Sequence, residues 1–126
     1  MNKILVVDDD KAVCVMLEKF LTRKGYKVLT ALSGMEAIKK VSEEKPAIVL
    51  LDIRMPKMDG LETLKKIKEI DEKVGVVMIT AYKDEETGRK CLETGAYDYI
   101  MKPFSLDYLE TVLTMKLLDF ENGNKA

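Results

Sequence analysis

The 126 residues carry 21 Lys and Arg against 22 Asp and Glu, a net charge of -1, and 47% are hydrophobic, which fits one domain with a sizeable core. The absence of histidine and the presence of only two cysteines exclude histidine-based catalysis, a phosphohistidine carrier, a cysteine–histidine zinc site and a disulfide framework. Basic residues form no cluster and no apolar run could span a membrane, so we expect a cytoplasmic protein without a signal peptide, a membrane segment or direct contact with nucleic acid.

Short apolar runs rich in Val and Ile alternate with stretches of helical periodicity along the whole chain. Asp10 is a predicted N-cap of the first helix, and the spacing of Ser33 and Glu36 matches a capping box at the second. In chain order the pattern predicts a strand over 4–7, a helix over 11–24, a strand over 28–31, a helix from residue 33 to about 45, a strand over 47–51, a helix from about 59, a strand over 76–79, a helix over 84–94, a strand over 97–101 and a helix from about 105.

The helix predicted over 84–94 differs from the others. Gly88 falls in its middle, and only Cys91 and Leu92 are clearly apolar, so we expect it to be weakly anchored. It is either a poor surface helix or an element able to shift, and the sequence favours neither strongly.

Five strand-and-helix units repeated in this way indicate an α/β fold. The strands are continuously apolar rather than alternating, which is typical of a parallel sheet covered by helices on both faces. Right-handed crossovers make a doubly wound three-layer sandwich the predicted architecture.

Polar side chains stand where four of the predicted strands end. Asp8 and Asp9 follow the first strand, Asp52 the third, Thr80 the fourth and Lys102 the fifth. Carboxyl ends of parallel strands meet at one edge, where ligands bind. Clustered carboxylates repel one another unless a cation lies among them, and oxygen ligands alone favour Mg²⁺ with a phosphoryl group, to which a carboxylate can also be the nucleophile.

Four segments at these strand ends resemble one known family. They are VVDDD at 6–10, LLDIRMPKMDGLE at 50–62, ITAY at 79–82 and YIMKPF at 99–104. Together, and in this order over almost the whole chain, they are similar to the receiver domain of two-component response regulators, the CheY-like superfamily. The resemblance implies a flavodoxin-like, five-stranded parallel sheet in the order 2-1-3-4-5 with five helices.

The resemblance also implies roles for the residues at the edge. Asp52 would accept a phosphoryl group from a sensor histidine kinase or a phosphotransfer protein, and Lys102 would pair with that group. Mg²⁺ would be bound by Asp9, Asp52 and the backbone carbonyl of Arg54, with Asp8 assisting through water. Such a domain is not an enzyme acting on external substrates, since it catalyses only its own phosphorylation and dephosphorylation.

Two further residues would transmit the signal in such a domain. Thr80 would hydrogen-bond the phosphoryl group, and Tyr99 would then turn inward. The Lys102–Pro103 peptide bond would be cis. The output surface would be the face made by the fourth helix, the fifth strand and the fifth helix. It would contact a downstream protein target or an output domain absent from this chain. Dimerisation on phosphorylation is a further possibility that the resemblance leaves open.

One alternative of another class is a small Mg²⁺-dependent phosphatase of the haloacid dehalogenase type, with Asp8 as nucleophile and Asp10 two residues later. It leaves Asp52 without a role. A flavodoxin-like FMN site is disfavoured because a triply acidic first loop would repel phosphate. We expect the receiver domain to span residues 1–121, with 122–126 a tail or the start of a linker; a stand-alone receiver and a piece of a longer regulator both stay open.

Overall fold

The computed structural model describes residues 2–53, 59–80 and 85–121, leaving aside the side chains of residues 85, 120 and 121. Strands and helices alternate along the chain, as the sequence predicted. They are β1 (Lys3–Val7), α1 (Lys11–Arg23), β2 (Lys27–Ala31), α2 (Gly34–Glu44), β3 (Ile48–Asp52), α3 (Gly60–Ile70), β4 (Gly75–Thr80), α4 (Glu85–Thr94), β5 (Asp98–Met101) and α5 (Leu106–Glu121). No helix in these ranges is long and apolar enough to cross a membrane.

The five strands form one parallel sheet in the order β2-β1-β3-β4-β5. The predicted doubly wound α/β fold and its strand order are therefore confirmed. The central strands β3 and β4 are buried along their whole length, which explains why their sequences are continuously apolar. β3 and β5 each begin one residue later than predicted, although the backbone N–H of Tyr97 already donates to the carbonyl of Val76 (2.8 Å).

Each face of the sheet has its own hydrophobic core, because successive side chains of a strand point to opposite faces. In β1, Leu5 and Val7 pack with α2, α3 and α4, whereas Ile4 and Val6 pack with α1 and α5. The molecule thus has three layers, with the sheet in the middle. Because helices cover both faces of the sheet, polar side chains that could bind a ligand are expected where the strands end and meet the loops.

Side-chain caps fix the start of several helices, among them α1, α2 and α3. Asp10 accepts a hydrogen bond from the backbone N–H of Ala12 (2.9 Å), and Ser33 accepts one from the N–H of Glu36 (3.2 Å). Both predicted caps are confirmed. Asp59 caps α3 in the same way, by accepting from the N–H of Glu62 (2.8 Å). Helices α1, α2 and α3 each follow the end of a parallel strand and therefore begin at defined points beside the carboxyl edge of the sheet.

Candidate functional site

The structure brings four predicted site residues to the carboxyl edge of the sheet. Asp8 directly follows β1, Asp52 is the last residue of β3, Thr80 is the last of β4, and Lys102 directly follows β5. These strands are neighbours in the order β1-β3-β4-β5, so the four residues form one row across the edge. Asp9 lies next to Asp8 and completes an acidic cluster.

Carboxylate oxygens of Asp8, Asp9 and Asp52 lie within 4.8 Å of one another. Asp8 is 4% exposed and Asp52 is 7% exposed, whereas Asp9 is open to solvent. Lys102 Nζ lies 3.5 Å from Oδ2 of Asp52 and 3.9 Å from Oδ2 of Asp8. The cluster has three carboxylates, and one half-buried ammonium lies beside two of them, so its net charge is negative and it attracts a further cation.

Backbone and thiol groups hold Asp8 in this position. Its Oδ1 accepts a hydrogen bond from the N–H of Asp10 (2.9 Å), and its carbonyl accepts one from Sγ of Cys14 (3.4 Å). Its own N–H donates to the carbonyl of Ala31 (3.1 Å), which extends the pairing of β1 with β2 by one residue. The side chain of Asp8 is therefore fixed before any ligand arrives.

Burial of the Asp8 carboxyl group changes its pKa. The pKa of Asp8 is raised from 3.8 to about 6, chiefly by burial and in smaller part by the charges of Asp52 and Asp9, while the hydrogen bond from Asp10 and the charge of Lys102 act in the opposite direction. The carboxylate form is thus disfavoured in the folded protein without a metal ion. A bound divalent cation would favour the carboxylate form again.

Helix α3 meets the end of β3 more closely than a side chain would permit. The N–H of Gly60 donates to the carbonyl of Ile53 (2.9 Å), and a Cβ on Gly60 would lie 2.4 Å from Cα of Ile53 and 2.9 Å from the carbonyl oxygen of Asp52. Gly60 therefore lets the backbone behind Asp52 lie against α3. The sequence predicted that a helix starts here, but it did not predict this close approach of the two backbones. The signal that could have indicated it is a glycine as the first residue of a helix.

The two residues predicted to transmit a signal share one face of the sheet. Tyr99 pairs with Met78 in the register of β4 and β5, and Thr80, two residues after Met78, points to the same side. The Tyr99 ring packs against the core under α2, α3 and α4. The backbone N–H of Lys102 donates to the carbonyl of Thr80 (2.7 Å), and the Lys102–Pro103 peptide bond is cis.

Two further predicted residues are Asp10 and Arg54. Asp10 serves as the helix cap described above, and its side chain accepts the hydrogen bond from the N–H of Ala12. Arg54, whose backbone carbonyl is a predicted metal ligand, lies outside the described residues.

Comparison with known proteins identifies the family. The family model of the response regulator receiver domain matches residues 4–114. The chain belongs to this family. Sporulation initiation phosphotransferase F of Bacillus subtilis (strain 168) is 39% identical to the receiver domain described here over 106 residues, covering 84% of this chain and 86% of that protein.

Other relatives are much longer than this receiver domain. Transcriptional regulatory protein ZraR of Klebsiella oxytoca is 44% identical over 114 residues, which are 90% of this chain and 26% of ZraR. The chain thus spans about a quarter of the length of such relatives.

Solved structures show the same fold. A two-component response regulator from Clostridium difficile superposes with a TM-score of 0.91 at 30% identity, covering 95% of this chain and 98% of that one. CheY in a CheX–CheY–BeF3–Mg complex from Borrelia burgdorferi matches with a TM-score of 0.88 at 34% identity, covering 92% and 89% of the two chains.

The family match supports a phosphoacceptor signalling domain, and it does not support the alternative phosphatase of the haloacid dehalogenase type. The structure agrees, because the second acid of that motif, Asp10, caps α1.

Proposed function

We propose that Asp52 is the phosphoacceptor of this receiver domain. The observation that carries the proposal is the pairing of a nearly buried carboxylate at the end of β3 with the ammonium of Lys102 at 3.5 Å, beside two further carboxylates. An oxygen of Asp52 attacks the phosphorus of a phosphohistidine on a sensor histidine kinase or phosphotransfer protein. The P–N bond breaks, and its electron pair returns to the imidazole nitrogen, leaving an aspartyl phosphate.

The acidic cluster fits a magnesium ion. It offers carboxylate oxygens alone, within 4.8 Å of one another, and contains no nitrogen or sulfur ligand, which is the donor set that Mg²⁺ prefers. Asp9, Asp52 and the backbone carbonyl of Arg54 would hold the ion, with Asp8 assisting through water. When bound, Mg²⁺ would neutralise charge on the phosphoryl oxygens.

Lys102 supplies the second positive charge for the transferred group. In the structure its ammonium is shared between Asp52 and Asp8, at 3.5 and 3.9 Å from their Oδ2 atoms. A phosphoryl group on Asp52 places new acceptor oxygens beside that ammonium, so Lys102 can bind them without leaving the site. We therefore assign it the stabilisation of charge during transfer and of the finished aspartyl phosphate.

Thr80 and Tyr99 are the proposed switch. Thr80 is 2% exposed at the end of β4, on the same face as Tyr99. Its hydroxyl would donate to a phosphoryl oxygen on Asp52, and the space that this movement leaves would admit the Tyr99 ring. The signal would thereby pass from the edge of the sheet to α4 and β5.

The face formed by α4, β5 and α5 is the proposed output surface. Large apolar side chains lie exposed on each element: Leu92 (45%), Met101 (46%) and Tyr108 (50%). A contiguous exposed apolar patch marks a protein contact, and we propose that these three side chains form part of one. The partner would be a downstream protein or an output domain, as in the relatives named transcriptional regulatory proteins. A phosphorylation-dependent dimer on this face is an outcome that the same surface would support.

The remaining assignments follow from this role. We assign residues 1–121 to the receiver domain, supported by the family match and by the end of α5 at Glu121, and 122–126 to a tail or the start of a linker. Catalysis would be limited to its own phosphorylation and dephosphorylation. A cytoplasmic location would give it access to a kinase and to regulators of transcription.

The test is intact mass spectrometry after incubation with acetyl phosphate, a small acyl phosphate donor. We expect one added phosphoryl group in the presence of Mg²⁺, and none with EDTA or in the Asp52→Asn variant. A matched control is Asp59→Asn, which changes an exposed helix cap outside the cluster. Equal modification of Asp52→Asn would reject the assignment, and rapid turnover of a phosphate ester would favour a phosphatase.

A further inference from the structure

Helix α4 has a glycine at the point where the Tyr99 ring reaches it. Gly88 is buried in the middle of the helix. A Cβ on Gly88 would lie 2.4 Å from Cζ of Tyr99 and 2.7 and 2.8 Å from its two Cε atoms. Real carbon atoms do not approach so closely, so the ring can occupy this position only because residue 88 has no side chain.

This glycine is costly for the helix itself. Glycine in a helix interior is less favourable than alanine by about 1 kcal/mol. The rest of α4 offers little compensation, since Cys91 is buried but Leu92 is 45% exposed. A glycine here is therefore poor for helix formation, and the close contact with Tyr99 is the feature of the structure that requires it.

The contact also joins the two elements between which the proposed signal passes. The Tyr99 ring is turned toward α4 and the core beneath it, on the face that carries Thr80. Its Cζ end, the end that carries the hydroxyl, lies against Gly88. Any movement of the ring toward or away from the core therefore changes its contact with α4 at this residue.

We infer that Gly88 is a positioning residue for Tyr99: its missing Cβ gives the half-buried ring room between α4 and the core, the side to which the ring would turn further once Thr80 moves, and so raises the affinity of the Asp52 site for a phosphoryl group. This inference rests on the proposed function of Asp52 and Tyr99. The two events are linked thermodynamically, because whatever destabilises the inward ring must weaken binding of the group that favours it. Alanine at position 88 should displace the ring rather than unfold the helix, since the contacting atoms are the far end of a side chain that can rotate.

The experiment measures the affinity for beryllofluoride with Mg²⁺, a stable mimic of a phosphoryl group, in four proteins: wild type, Gly88→Ala, Tyr99→Ala and the double variant. We expect Gly88→Ala to weaken binding about tenfold, within the range for an overpacked contact. In the Tyr99→Ala background the same substitution should change affinity less than twofold. Arg89→Ala, an exposed neighbour on α4, is the matched control and should bind like the wild type.

Thermal unfolding shows whether Gly88 positions Tyr99 or only contributes to the stability of the fold. Alanine is the better helix former, so Gly88→Ala should unfold at the same or a higher temperature than the wild type while it binds the mimic more weakly. Unchanged affinity in Gly88→Ala, or equal weakening with and without the Tyr99 ring, would overturn the inference.

A second measurement tests the positioning role of Gly88 separately from the proposed role of Asp52 as phosphoacceptor. Nuclear Overhauser contacts between the Gly88 α-protons and the Tyr99 ring protons should be present in the wild type, and the ring resonances should move in Gly88→Ala. Absence of these contacts overturns the positioning role of Gly88. If instead the contacts are present but Asp52→Asn binds beryllofluoride as well as the wild type, the phosphoacceptor assignment fails, and the link from Gly88 to that site fails with it.

Discussion

Replacing Asp8 by asparagine should stabilise the protein in the absence of metal. The pKa of Asp8 rises from 3.8 to about 6 on folding, because the carboxylate is 4% exposed and lies beside Asp52 and Asp9. Because the folded-state pKa is the higher one, the folded protein loses stability as the pH rises from about 4 through about 6. At pH 7 the shift of about two pKa units corresponds to roughly 3 kcal/mol, and at pH 5 to about half of that.

Asparagine removes this cost and keeps an oxygen that can accept the hydrogen bond from the N–H of Asp10. In EDTA, urea unfolding should therefore show Asp8→Asn to be more stable than the wild type by about 2–3 kcal/mol at pH 7, with a smaller gain at pH 5. Added Mg²⁺ should stabilise the wild type more than the variant, because the variant has lost one carboxylate near the ion.

Asp9→Asn is the matched control for this prediction. Asp9 belongs to the same cluster but is open to solvent, so losing its charge should change the free energy of unfolding in EDTA by less than about 1 kcal/mol. The reasoning would be refuted if Asp8→Asn were no more stable than the wild type at pH 7, or if its gain were the same at pH 5.

The remaining predictions concern packing and charge elsewhere. Gly60→Ala should lower the free energy of unfolding by about 2–3 kcal/mol in urea, because its Cβ would meet backbone atoms that cannot rotate away; a loss below 1 kcal/mol would contradict the contact. Lys116→Met should change the free energy of unfolding by less than about 1 kcal/mol at pH 7. Lys116 is 6% exposed and its ammonium lies 4.7 Å from the centre of the Tyr97 ring, so the hydration that it loses on folding costs about as much as its contacts contribute. Burial lowers the pKa of Lys116 below 10.5, so the wild type should gain stability relative to this variant as the pH rises toward 10.5. A decrease in the free energy of unfolding of the wild type relative to the variant over this range would contradict the account. Lys102→Met should slow phosphorylation by acetyl phosphate at least tenfold while Asp52 stays intact, whereas an unchanged rate would remove Lys102 from the mechanism.

The fold could be predicted because several levels of the sequence agree. Continuous apolar strands required a parallel sheet, and side chains such as Asp10 and Ser33 placed helix starts that the structure confirms. The row of polar residues at one edge followed from the same logic, since parallel strands all deliver their carboxyl ends to one side. Asp8, Asp52 and Lys102 are brought together by strand order alone.

The contacts made by glycines could not be predicted in this way. Gly60 opens a helix and Gly88 interrupts one, and a sequence shows only that glycine lowers helix propensity at these positions. Their roles depend on what approaches from another part of the chain: the backbone at Ile53 in one case, the ring of Tyr99 in the other. Gly88 suggested a weak helix, whereas the structure shows a tight contact at that residue.

Burial of Lys116 is a further feature that pattern reasoning did not find. Its aliphatic stem lies against Gly75, where a Cβ would be 2.7 Å from Cε of the lysine. A lysine in an amphipathic helix ordinarily faces solvent, so sequence alone assigns it to the surface. Only the tertiary structure, with a glycine at the start of β4, provides space for the stem.

The most direct test of the central claim locates the phosphoryl group within the chain. The protein is phosphorylated with acetyl phosphate and Mg²⁺, reduced with borohydride to convert the aspartyl phosphate to a stable homoserine residue, digested and sequenced by mass spectrometry. The account predicts conversion at Asp52 and at no other carboxylate. Conversion at Asp8, or modification that persists in Asp52→Asn, would contradict it.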